Sequence, residues 1–120
     1  MTTIQLIVTL LHNELATISD PALKTELQQY LVEPYLVMRQ WNYCKEPTRV
    51  PCWTVLEHAA SNCCIVYCDK GFYPDTWGIL HISGDFTDMG MDSQWHPTLE
   101  QAYREFPACT IQPPEGYETQ

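Results

Sequence analysis

Apolar residues open the chain at helical spacing. Ile4, Ile7, Leu11, Leu15 and Ile18 recur every three or four positions, the stripe of an amphipathic helix over roughly residues 3–17. Ser19-Asp20-Pro21 then marks a new start. Asp20 can cap a helix, and Pro21 suits a first helical position, where no N–H is needed. Leu23, Leu27, Tyr30 and Leu31 continue the helical period. Pro34 lacks the donor that a helix interior requires, so it predicts a kink or an end. Tyr35, Met38 and Trp41 predict a further turn or two. The first third reads as a helical hairpin with a bent second arm.

The period changes after Lys45–Pro51 (KEPTRVP), whose prolines and charges mark a connection. Cys52–His58 reads as a strand and Ala59–Asn62 as a short turn. Cys63–Cys68 is a continuous apolar run, as a central strand requires. Asp69-Lys70-Gly71 ends it, and Thr76–Ile82 reads as a further strand. Short links between neighbours predict an antiparallel meander. A last helix runs from about Pro97 to Phe106, with Leu99, Ala102, Tyr103 and Phe106 on its apolar face and a Glu100–Arg104 pair one turn apart. The expected architecture is α+β: an N-terminal helical hairpin, a three- to four-stranded antiparallel sheet and a C-terminal helix. One domain spans residues 1–112, and residues 113–120, opening on Pro113-Pro114, form a loosely ordered tail.

Composition narrows the function classes. At 120 residues, 45% apolar and 18% charged, the chain can build a core without metal or disulfide support. Its net charge of -9 is uneven: residues 1–50 hold four Lys/Arg against five Asp/Glu, and residues 51–120 hold two against ten. Direct nucleic-acid binding and attraction to an anionic membrane both need the opposite sign. An acidic face instead steers a basic protein partner. The N-terminal MTTIQLIVTLL has no preceding Lys or Arg and no small-residue cleavage site, and it is too short to span a bilayer. The expectation is a cytoplasmic protein with its six cysteines reduced. A mature secreted fragment is the alternative.

Three clusters carry candidate chemistry. Asp85, Asp88 and Asp92 lie inside Gly84–Phe106. Their spacings of three and four, interrupted by Phe86, Met89 and Met91, miss the alternating template of a calcium loop. A solvated or partner-facing loop is expected, and no metal. His58, Cys63, Cys64 and Cys68 suggest zinc. On one strand, however, residues 64 and 68 stand about 13 Å apart, too far for shared bonds of about 2.3 Å. Small buried hydrophobes are the expectation, and no cofactor. For thiol catalysis, His58 and His81 can be placed on facing strands, but no nucleophile motif surrounds any cysteine. Trp53, Tyr67, Trp77 and Trp95 cluster around the sheet. They form either its core or, on an open face, a contact patch.

Trp77-Gly78-Ile79-Leu80-His81-Ile82, followed by Met89-Gly90-Met91-Asp92-Ser93-Gln94-Trp95 and Leu99-Glu100-Gln101-Ala102, resembles small acidic bacterial proteins of the immunity or inhibitor type. In those a strand with a Trp-Gly start leads through a polar loop into a short helix. The resemblance supplies no catalytic residues and implies a protein that binds and blocks another. The expected function is therefore a non-enzymatic protein-binding module that neutralises a basic partner. Asp75, Asp85, Asp88, Asp92 and Trp95 are its contact residues. The alternative is a small-ligand or metal-binding module on the Cys/His-bearing sheet. A homodimer through the N-terminal helices also stays open, since a stripe that packs on a sheet and one that packs on a second copy look alike.

Overall fold

The computed structural model describes residues 3–41, 48–69, 74–83 and 94–112. The Asp85, Asp88 and Asp92 loop and the 113–120 tail lie outside the described residues.

The N-terminal pattern folds as its spacing dictates. Helix α1 (Ile4–Thr17) starts at Thr3, whose hydroxyl accepts from the Leu6 N–H, and buries Ile7, Leu11 and Leu15. Helix α2 (Pro21–Gln28) starts at Asp20, whose carboxylate accepts from the Ala22 and Leu23 N–H groups at 3.0 and 3.3 Å. Leu23 and Leu27 are completely buried. Each such side chain contributes about 1.5–3 kcal/mol of burial free energy.

The second arm ends sooner than its period predicts. Residues 31–41 form no helix: they are strand β1 (Leu31–Trp41). Pro34 fits there for two reasons. The strand lies at a sheet edge, and the β1–β2 register shifts between Leu31 and Tyr35. A proline's missing donor costs little at an edge or an irregularity.

Four strands follow: β2 (Thr48–His58), β3 (Cys63–Tyr67), β4 (Trp77–His81) and β5 (Gln94–His96). The expected meander is present and extends to five strands in the order β1-β2-β3-β4-β5, every neighbouring pair antiparallel. A single 3₁₀ turn, Ala59–Ser61, links β2 to β3 and ends on Asn62 at φ 57°. Asparagine tolerates this left-handed conformation. The Asn62 amide then donates to the Ser83 carbonyl at 2.8 Å, tying the turn to the end of β4.

Helix α3 (Leu99–Arg104) is shorter than expected, because Thr98 takes the cap and leaves Pro97 outside. The Thr98 hydroxyl accepts from Gln101, and Glu14 of α1 accepts from the Leu99 N–H at 2.7 Å. A carboxylate there complements the helix dipole. The Glu100–Arg104 pair forms at 3.1 Å.

All three helices pack on one face of the sheet. Ile7, Leu11, Leu15, Leu23, Leu27, Leu99, Ala102, Tyr103 and Phe106 meet Leu56, Ile65 and Trp77 in the main core. Ile7, Leu11, Leu15 and Ile18 of the α1 stripe are thus used inside the molecule, whereas Ile4 at its start is 39% exposed. Val50, Cys52, Cys64, Val66, Cys68 and Leu80 form a second cluster on the opposite face.

Candidate functional site

Register builds one row across the whole sheet. Leu36 pairs with Trp53, Trp53 with Tyr67, Tyr67 with Trp77, and Trp77 with His96. Directly opposed residues share a face, and Trp77 places this row on the helical side. Exposure rises along it. Trp77 and His96 are 2% and 5% exposed, Trp53 and Tyr67 are half-buried, and Leu36 is 47% exposed. Tyr67 meets Trp77 edge-on, ring centroids 4.9 Å apart. The next row outward holds Met38 opposite Pro51, with Met38 46% exposed.

The helices therefore cover one half of this sheet face, and the β1–β2 end carries apolar and aromatic side chains into solvent. Pro51, Trp53, Tyr67, Cys68 and Asp69 line a shallow cleft there with room for about one water molecule. That volume suits the seat of a contacting side chain and is far below a small-molecule pocket. The Trp53 indole N–H is buried and finds no acceptor among the described residues.

Sequence reasoning names Trp53 and Tyr67 as sheet residues and misses Leu36 and Met38, which the helical period assigns to a helix. Once residues 31–41 are read as a strand, alternation puts Leu36 and Met38 on one face and Val37 and Arg39 on the other. Of the expected contact residues, Asp75 precedes β4 and is half-buried, with its charge acting on the nearby His96. Trp95 lies on the opposite face of the sheet. Its ring covers Gly78, where an added Cβ would come within 2.7 Å of Cη2, Cζ2 and Cζ3. Much of Trp95 is thus engaged within the protein. Trp95 therefore does not share the face that carries Trp53 and Leu36.

The Cys/His-bearing sheet divides between the two faces. His58 and His81 do not face each other: each pairs with Cys63, which stands between them on β3. The Cys63 thiol donates to the Ser61 carbonyl at 3.4 Å, and the His58 ring bonds the Ser61 hydroxyl at 2.8 Å. On the far face, the buried Arg39 guanidinium donates to the His81 carbonyl at 3.3 Å and contacts the Cys64 sulfur at 3.8 Å. Burial nevertheless dominates at Cys64 and pushes its thiol up to about 11, with Arg39 opposing. At Cys52 a hydrogen bond with Cys68, reinforced by burial, raises the thiol further. Protonated thiols are weak nucleophiles and weak metal ligands. Among the described residues no three His, Cys, Asp or Glu side chains converge as a metal site. No described helix is long and apolar enough to cross a membrane.

Compared with protein-family models, curated proteins and solved structures, the chain matches none.

Proposed function

We propose that this chain is a protein-binding module without catalytic chemistry of its own, of the immunity or inhibitor kind, that neutralises a basic protein. The observation that carries this reading is the open end of the helix-side sheet face. There Leu36 and Met38 are each nearly half exposed on an acidic molecule, beside Pro51, Trp53 and Tyr67 and bordered by Asp69. Aromatic and Met side chains at the centre of a patch with charge at its rim are the composition of a protein interface. The net charge of -9 favours a cationic partner and speeds its approach. Asp85, Asp88 and Asp92 serve as steering charges in this reading.

The test compares three forms of the protein as bait in its host: wild type, Leu36→Asp/Met38→Asp, and Asp85→Asn/Asp88→Asn/Asp92→Asn. Expected is a basic protein recovered with wild type, seen as a defined complex by native mass spectrometry. The sheet variant should weaken that complex at least about tenfold. The aspartate variant should slow association and flatten its salt dependence. Equal binding by all three forms would sink the proposal.

A further inference from the structure

Cys52 of β2 and Cys68, just past β3, stand across from each other. Trp53 pairs with Tyr67, so the next step outward along the antiparallel register places Cys52 against Cys68. Hydrogen-bond direction fixes what kind of pair this is. The Cys68 N–H donates to the Thr76 carbonyl at 2.8 Å, toward β4. A strand residue sends its N–H and C=O to the same side. The Cys68 backbone groups therefore point away from β2, and Cys52–Cys68 is a non-hydrogen-bonded pair. Such pairs hold their Cα atoms about 4.5 Å apart with side chains close, within the roughly 4.4–6.8 Å that a disulfide spans. Both side chains lie in the same buried cluster, 0% and 1% exposed. Their thiols hydrogen-bond to each other. Cys64 is on the same face but four residues along β3, where Glu57 opposes it.

We infer that Cys52 and Cys68 are a redox modification site: a cross-strand dithiol that a peroxide converts to a disulfide joining β2 to β3. In the first step one thiol sulfur attacks the peroxide, the O–O bond breaks, and a sulfenic acid and one water form. In the second step the other thiol displaces the sulfenic hydroxyl as a second water. Two S–H bonds and one O–O bond are lost, one S–S bond forms, and two electrons pass to the peroxide. Neither thiol is exposed, and the hydrogen bond with Cys68 together with burial keeps Cys52 protonated. The reaction therefore proceeds slowly, through local opening of the sheet end that lets an attacking thiolate form. The inference is independent of any partner.

The test is hydrogen peroxide added to the reduced full chain, followed by alkylation and peptide mapping without reductant. Expected is a peptide linking Cys52 to Cys68, two hydrogens lighter than the reduced pair and absent from Cys52→Ala. Closing so short a loop should raise Tm by roughly 5–15 °C, reversed by dithiothreitol. Cys64→Ala should keep the link. A link between other cysteines, sulfinic acid at Cys68 without a link, or both thiols free after prolonged exposure would overturn the inference. Each of these outcomes is read on the wild type, so no variant has to fold for the test to decide.

Discussion

Glu26 accepts hydrogen bonds from the Tyr103 hydroxyl at 2.7 Å and from the Thr110 N–H at 2.9 Å, and the Thr110 hydroxyl donates to it as well. One carboxylate on α2 thus holds α3 and the segment that follows it. Partial burial raises its pKa, but the bonds from Thr110 and Tyr103 outweigh that and lower it. Tyr103 is fully buried, and burial followed by the Glu26 carboxylate pushes its phenol well up. Hydrogen bonds to a charged acceptor contribute about 1.5–3 kcal/mol, and a buried hydroxyl left unpaired costs a similar amount. Glu26→Ala should therefore cost about 2 kcal/mol and Tyr103→Phe about 1 kcal/mol. The double variant should fall short of their sum by about 1 kcal/mol, measured by urea unfolding. Full additivity would mean that the two side chains do not act on each other. None of this was legible in the sequence: residues 26, 103 and 110 are far apart in the chain, and Glu26 reads as one more polar position on an amphipathic helix.

At the scale of elements, legibility tracked how well a segment's pattern excluded its alternatives. Helix α1 has its stripe and α2 has both a cap and an N1 proline, so each could be read directly. The β3 run Cys63–Tyr67 is apolar throughout because both its faces are covered. Strand β1 failed because Leu31, Tyr35, Met38 and Trp41 fall three or four apart and imitate a helix. Its Val32, Val37, Tyr35 and Pro34 were the contrary signal, β-rich residues around a proline that an edge strand accepts. The candidate contact end was lost with it. Strand β5 was hidden by its length of three residues. Its hold on the sheet depends on Gly78, over which the Trp95 ring sits. Gly78→Ala should therefore push Trp95 off β4, lower stability by about 1–3 kcal/mol and shift tryptophan fluorescence toward solvent. Adding Trp95→Leu should recover part of the loss. Unchanged stability and fluorescence in the Gly78→Ala variant would refute that packing.

For the whole molecule, charge and burial respond to acid in opposite directions. Of the six Lys and Arg, Arg39 is 4% exposed, and the Arg104 side chain is 3% exposed and pairs with Glu100 and Asp20. The surface is accordingly strongly acidic, and adding protons relieves self-repulsion, which stabilises the folded chain. His96 opposes this. Burial lowers its pKa from 6.5, while Glu105 and Asp75 pull the other way without prevailing. The unfolded chain therefore binds the His96 proton more readily than the folded one. The sign follows: stability is retained above about pH 6.5 and is lost as pH falls from there toward the depressed folded value. Glu26 adds a second loss at lower pH. Its folded pKa lies below 4.5, so its contribution is present above that value and disappears as pH falls through the folded pKa. Few surface carboxylates titrate between about pH 8 and 5.5, and the buried His96 imidazole, whose charging burial disfavours, pulls the slope toward lower stability in that window. Urea midpoints should fall from about pH 7.5 to 5.5 in the wild type and stay level or rise in His96→Gln. An equal fall in both proteins would show that acid acts elsewhere and that the buried imidazole carries no proton-linked cost.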